Sequence, residues 1–570
     1  MDFKQKAEEK KMSMSKNIAR LAVTAGLTAA LSFGGVMAPV TMAFAADADG
    51  SVTIENVDGN TTEFQGYQIF KADVDSGKVA NITWANDSVE KAVKGVIEKE
   101  DNSYAGKTAQ DAADWITNKV TGTNGTTRVA PDNIAYKIAD AVDGLTPSAT
   151  TTSKTASGLE HGYWLFVTKT DTIGVGEAGT SPIFTVVGNT PVKITEKTGI
   201  PTVEKKIVSD ADSKEHDAAD SQIGQDVTYN LYGTVAENFD KYDTYFYQFS
   251  DKISKGLTLQ KDAKVYLYEN GTDAKGDLAR AKGTDITANF KEETPAEAAD
   301  DGSKTTTWTC DNLKNVNGVT KDSYIVVSYK AQINNEAVIA GTEGNDNTVT
   351  LHYSNNPMTS ERGETKPDTV KDYTYGLKIN KVDLGTEKAL KDAKFTITTN
   401  GDENSTNVKY VKKDGTLSGA KVVLSTDADG VIRLTHLDAG VYTVTEVTPP
   451  SGYTAVNPFT FEIKPTMTDD GPEAGLTELK GALTTDQGGK VIAGITDGNA
   501  GDNNLTAKPG SEKDEDGIFN ITVGDTKQVG LPLTGLNGVT FTWIAGGAVL
   551  CIGVAHLIRS RKQAEESEQE

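Results

Sequence analysis

Cysteine is almost absent from this sequence: Cys310 and Cys551 are the only two in 570 residues. Cys551 lies in an apolar run near the C-terminus, so a chain that loses that run has no partner for Cys310 and no internal disulfide. Any covalent staple must be of another kind. Histidine is equally scarce, and its five residues are scattered singly, which reads as surface positions and not as bases or metal ligands. Neither His-Glu-x-x-His nor Gly-x-Ser-x-Gly occurs, and Gly106-Lys107-Thr108 lacks the glycine of a P-loop, Asp standing at 101. These absences argue against a conventional enzyme, and no cofactor or metal is expected. Positive charge is also short, 57 Lys and Arg against 81 Asp and Glu, so the net charge of -24 excludes attraction to nucleic acid and favours solubility.

What is present begins with the two ends. Lys10, Lys11, Lys16 and Arg20 precede an apolar, small-residue run from Leu21 to about Val40, followed by Ala43-Phe44-Ala45. That order is the pattern of a secretory signal peptide, residues 1–45, with Ala46 first in the mature chain. A second apolar run, Val539 to Ile558, is long enough to cross a bilayer and is followed by Arg559, Arg561 and Lys562. Those cations belong on the cytoplasmic side, which leaves the bulk of the chain outside. Just upstream stands Leu531-Pro532-Leu533-Thr534-Gly535.

Between the ends the pattern is strand-like: short alternating runs of Val, Ile, Thr, Tyr and Phe separated by Gly, Asn and Asp turns. The expected fold class is all-β, tandem immunoglobulin-like sandwiches. The first domain, 46–199, holds strands at 52–54, 163–167 and 183–187, with helices inserted at Val89–Glu98 and Ala109–Val120. The second, 200–372, opens at Pro201–Ile207 and closes at Asn347–Tyr353, with Asn355–Lys371 read as linker. The third, 373–530, runs from Leu377–Lys381 to Ile521–Asp525, and 531–570 completes the chain.

Strand side chains alternate faces, so a polar residue in phase with apolar neighbours is expected inside. In the second domain Lys205 is in phase with Val203 and Ile207, Asp251 with Phe249 and Ile253, and Asn347 with Val349 and Leu351. In the third, Lys381 follows Leu377 and Ile379, Glu446 follows Tyr442 and Val444, and Asp525 follows Ile521 and Val523. Burial pushes lysine and carboxyl alike toward neutrality. A neutral amine can attack the side-chain carbonyl of Asn347 or Asp525, while Asp251 or Glu446 acts as general acid and base. The fold supplies the proximity, and the product is an intramolecular isopeptide bond. For the third domain Asn520 is the alternative partner. In the first domain Asn56 stands where the lysine would be needed, so no crosslink is expected there.

Tyr442-Thr-Val-Thr-Glu446-Val-Thr-Pro-Pro450-Ser-Gly452-Tyr453 resembles the E-box of sortase-assembled pilins. The pentapeptide 531–535, the apolar span and the basic tail, in that order, resemble a sortase sorting signal. Together they make the chain similar to the major, shaft-forming pilins of Gram-positive bacteria, with isopeptide-forming domains of Cna B type. The resemblance implies that a class C sortase attacks the Thr534 carbonyl and releases Gly535. The resulting thioester then passes to a pilin-motif lysine of the next identical subunit. Within Val192–Pro201 that lysine is Lys197, with Lys193 as competitor. It also implies minor pilins as further partners, attachment to peptidoglycan by a housekeeping sortase, and a cell-surface, wall-anchored fimbria. A monomeric adhesin that binds a host protein or glycan is the alternative. The acidic run Glu512–Asp516 reads as a solvated loop.

Overall fold

The computed structural model describes residues 49–55, 61–75, 78–106, 108–120, 132–195, 199–339, 344–469, 471–483, 492–495, 504–507 and 517–528. The leader, Asn56, Lys107, Lys197, the acidic run 512–516, the sorting motif and the C-terminal apolar run all lie outside these residues. Among the described residues no helix is long and apolar enough to cross a membrane.

The first domain stacks three layers. A small sheet places β1 (Gly50–Glu55) between Thr155–Leu159 and Val192–Thr195. It faces a larger sheet whose central strands are β2 (Phe64–Asp75) and β3 (Gly162–Thr168). Val52, Ile54, Phe64, Trp164 and Phe166 fill the space between them. The alternate residues Tyr67, Ile69, Leu165 and Val167 point the other way and meet three helices. These are α1 (Asp87–Glu100), α2 (Ala109–Val120) and α3 (Ile134–Asp143). Helix α1 starts where the Asn86 side chain accepts from the Val89 amide, and it buries Val89, Val93 and Ile97 at four-residue spacing. The sequence reading anticipated α1 and α2 but not α3, although Asn133 caps it and Ile134, Ile138 and Val142 repeat the same spacing.

The second domain is a sandwich of two seven-stranded sheets. One contains β4 (Val203–Val208), β5 (Asp226–Thr234) and β7 (Tyr324–Ile333), in that lateral order. The other contains β9 (Asp368–Tyr373), β8 (Asn345–Ser354) and β6 (Tyr247–Ile253), again in order. Tyr229, Tyr329, Trp308, Tyr247, Phe249 and Tyr353 dominate the core between them. The stretch Asn355–Lys371, expected as linker, is instead largely part of this sheet: Arg362–Glu364 and β9 both pair with β8. Its charges misled because they alternate with Val370, which is fully buried opposite Asn347. The same stretch holds the first domain, with the Gly176 and Gly179 amides donating to the Glu364 and Asn355 carbonyls at 2.8 and 2.6 Å.

The third domain pairs β10 (Tyr375–Asp383) in parallel with β12 (Ile518–Lys527) in one sheet. The facing sheet carries β11 (Gly440–Thr448). One histidine departs from the surface reading: His436 is buried, with positive φ (56°), and its Nε2 donates to the Ala337 carbonyl of the second domain at 3.3 Å. A buried backbone acceptor at a domain junction is what holds it there.

Candidate functional site

All six residues singled out by phase are inside. Lys205, Asn347, Lys381 and Asp525 are 0% exposed, Asp251 1% and Glu446 6%. Lysine is almost never buried without a partner, so two such lysines call for an account of what they touch.

In the second domain Lys205 projects from β4 in one sheet, while Asp251 on β6 and Asn347 on β8 project from the other. Asp251 and Asn347 are diagonal neighbours, because Asp251 stands opposite Val349 and Ile253 opposite Asn347. The Lys205 ammonium donates to Asp251 Oδ1, and to Asn347 Oδ1 at 2.5 Å. It also reaches the Tyr329 hydroxyl at 3.1 Å. That hydroxyl donates to Asp251 Oδ2 at 2.5 Å and accepts from Asn347 Nδ2 at 2.7 Å. Burial pulls the Lys205 amine down to about 8, against the opposing pull of Asp251. The backbone amide of Lys205 donates to Asp368 at 2.6 Å, which fixes β4 against β9.

Tyr329 was not anticipated from the sequence. Its signal was available: on β7 the residues Ile325, Val327, Tyr329 and Ala331 share the buried face, and a core tyrosine needs a partner for its hydroxyl. The ring is fixed by stacking on Tyr229 at 5.5 Å and on Trp308 at 5.4 Å.

The third-domain site is simpler. Lys381 and Asp525 come from the paired parallel strands β10 and β12, where Lys381 stands opposite Val523 and Asp383 opposite Asp525. Glu446 reaches them from the facing sheet. The Lys381 ammonium donates to Asp525 Oδ1, and to Glu446 Oε2 at 3.0 Å. Glu446 Oε2 also accepts from the Val456 amide at 2.9 Å, but Glu446 Oε1 and Asp525 Oδ2 have no partner. Burial pushes the Glu446 carboxyl up, opposed by Lys381. Asn520, the alternative partner, is half-buried, where its Oδ1 accepts from Asn380, away from Lys381.

Each site thus places a buried amine against a carboxamide or carboxyl, with a further carboxyl beside the amine. That is the equipment for amide formation. Of the two acceptor candidates, Lys193 is exposed beside Glu55 at 3.5 Å, whereas Lys197 lies outside the described residues. Among the described residues no lysine of the first domain is buried, and no group of His, Cys, Asp or Glu is arranged to hold a metal ion.

Residues 223–357 match the family model of the Gram-positive pilin backbone subunit 2, Cna-B-like domain. Residues 375–474 match that of the SpaA prealbumin-like fold domain. The chain thus holds one segment similar to each of these two domain types. No curated protein matches its sequence. Among solved structures it is similar to the T6 backbone pilin of Streptococcus pyogenes, at 16% identity over 85% of this chain and 100% of that one, TM-score 0.49. It is also similar to the major pilin SpaD of Corynebacterium diphtheriae, at 16% identity over 84% and 98%, TM-score 0.43. For the major pilin SpaA of the same organism the values are 12% over 84% and 100%, TM-score 0.44. These likenesses are loose, and it is the two family models that assign the domain types. Lys381 and Glu446 fall within the prealbumin-like match, and Asp251 and Asn347 within the pilin-backbone match.

Proposed function

We propose that this chain is the shaft subunit of a covalent pilus, joined head to tail by a class C sortase and stapled internally by Lys205–Asn347 and Lys381–Asp525 isopeptide bonds. The observation that carries this reading is the pair of buried triplets, each linking the opening strand of a pilin-type domain to a strand near its end. A tensile load entering at β4 or β10 would leave through the bond and bypass the strands between. Asp251 and Glu446 serve as the general acid and base of bond formation. The Thr534 carbonyl is the sortase target, and Lys197 of the next subunit is the acceptor. The finished polymer is fixed to peptidoglycan at the cell surface, with minor pilins as accessory partners. Each domain makes its bond once, so the chain is a structural protein and a sortase substrate, not a turnover enzyme.

The test is an immunoblot of cell-wall extracts boiled in detergent, comparing wild type with Lys197→Ala and Lys193→Ala. A ladder of high mass lost only in Lys197→Ala is expected. Loss only in Lys193→Ala moves the acceptor to the exposed strand residue. A single monomer band in wild type overturns the shaft and favours a wall-anchored adhesin.

A further inference from the structure

The two triplets differ in a group that the acid and base roles leave unused. In the second domain the Tyr329 hydroxyl touches all three members at once: Lys205 Nζ at 3.1 Å, Asp251 Oδ2 at 2.5 Å and Asn347 Nδ2 at 2.7 Å. Asp251 therefore meets the attacking amine with Oδ1 but the departing nitrogen only through Tyr329. Expulsion of an amide nitrogen requires that nitrogen to be protonated, and among the described residues the group hydrogen-bonded to Nδ2 is the Tyr329 hydroxyl.

We propose that Tyr329 is a catalytic residue of the second-domain crosslink, its hydroxyl relaying protons between Lys205, Asp251 and the departing Asn347 nitrogen. The proposal rests on reading Lys205 and Asn347 as the bond partners. First, a Lys205 ammonium proton passes to the Tyr329 oxygen while the tyrosine proton passes to Asp251 Oδ2. This leaves a neutral amine and a carboxylic acid. The amine lone pair then attacks Asn347 Cγ, and the carbonyl π pair moves onto Oδ1. Nζ next gives its surplus proton to Asp251 Oδ1, as the Oδ2 proton returns through Tyr329 to Nδ2. The Oδ1 pair reforms the carbonyl, and the Cγ–Nδ2 bond breaks with its electrons on nitrogen. One amide forms and one ammonia leaves; Tyr329 is regenerated, and Asp251, which began as the carboxylate, ends as the neutral acid with the last lysine proton on Oδ1. Tyr329 never ionises, consistent with the strong upward push that burial and Asp251 give its phenol. The stacked rings of Tyr229 and Trp308 hold the hydroxyl in register through both transfers.

The experiment follows the intact mass of freshly synthesised full-length chain with time. The second-domain bond removes one ammonia, and the third-domain bond removes one water and serves as internal clock. Tyr329→Phe is expected to slow ammonia loss on the order of a hundredfold, the usual scale of a lost proton-transfer group, with water loss unchanged. Tyr247→Phe, which strips a buried hydroxyl from the same core but one bonded to the Thr234 carbonyl, keeps the wild-type rate. Ammonia loss in Tyr329→Phe at the wild-type rate overturns the relay. Absence of ammonia loss in wild type overturns the crosslink reading itself. Should Tyr329→Phe misfold, the wild-type rate in mixtures of light and heavy water decides: a curved dependence is expected from more than one proton in flight, and a straight line overturns the relay.

Discussion

The second and third domains solve the same problem with different geometry. In the second, lysine and asparagine face each other across the sandwich, and the carboxyl shares the asparagine's sheet. In the third, lysine and aspartate are neighbours on parallel strands of one sheet, and the glutamate alone comes from the opposite side. A bond between sheets clamps the core shut, whereas a bond within a sheet ties two adjacent strands. The surroundings differ as well. Every polar atom of the second-domain triplet has a hydrogen-bond partner, largely through Tyr329, while Glu446 Oε1 and Asp525 Oδ2 have none. The third-domain site therefore depends more on its lysine for charge compensation.

Removing the lysines should expose that dependence most strongly. Lys381→Ala would delete the proposed bond, which closes a loop across 144 positions and which the chain-entropy model values at about 5 kcal/mol. It also strands two buried carboxyls, at a further cost of roughly 3–5 kcal/mol. Calorimetry should show the third-domain transition falling by roughly 20 °C. Lys205→Ala would remove a proposed bond of similar span, 142 positions, but leaves Asp251 with its tyrosine donor, so a smaller fall is expected in the second domain. Equal falls in the two variants would mean that the orphaned oxygens do not matter.

Keeping the ion pair while removing the acid separates bond from charge. Glu446→Gln leaves Lys381 beside Asp525 and should abolish the third-domain bond, at the loop-closure cost alone of about 5 kcal/mol. Asp251→Asn is the matching change in the second domain. Mass spectrometry that finds either bond intact would remove that carboxyl from the chemistry.

The partners themselves can be exchanged. Asp525→Asn gives the same final covalent structure by loss of ammonia instead of water, so its end mass should equal that of wild type. It leaves one carboxyl beside the attacking amine where there were two, and bond formation should be faster. Asn347→Asp adds a carboxyl beside Lys205 and should slow the second-domain bond for the same reason. Rates that move in the opposite directions would show that amine neutrality does not limit the reaction.

The triplets were legible because strand alternation is a rigid rule: with the register set by Ile379 or Val523, Lys381 and Asp525 had to point inward. The orientation of one triplet member relative to another was not legible. Whether lysine and partner share a sheet depends on pairings between strands more than a hundred residues apart, such as β10 with β12. Tyr329 carried a weak signal only, since a tyrosine in phase with valines is usually just core. The linker expectation at 355–371 failed because charge and proline density describe composition, while β9 turns Val370 and Asp372, alternate residues, into the interior. Helix α3 had the right spacing and cap but is short, and its buried face has meaning only against α1 and the sheet.

The smallest effect belongs to the junction between the two domains, where buried carboxyls stand among other carboxyls. Asp372 on β9 is fully buried, and burial raises its carboxyl to about 7, although Ser221 and the Tyr229 hydroxyl stabilise its ionised form. Asp220 beside it and Asp438 from the third domain are likewise pushed up by burial first and then by neighbouring carboxylates, Asp210 among them. The buried Tyr375 ring packs in the same place. A carboxyl raised in the folded state binds more protons folded than unfolded, so stability falls as pH rises from roughly 4, its unfolded value, through about 7. The junction should thus be firmer at pH 5 than at pH 8, by something on the order of 1–3 kcal/mol. The bonds proposed inside each domain would not titrate, so the unfolding transitions of the domains should move far less than the coupling between them. Thermal scans of the full chain across this range, set beside Asp372→Asn, measure it. The variant should flatten the dependence, and an unchanged slope would assign the protons elsewhere.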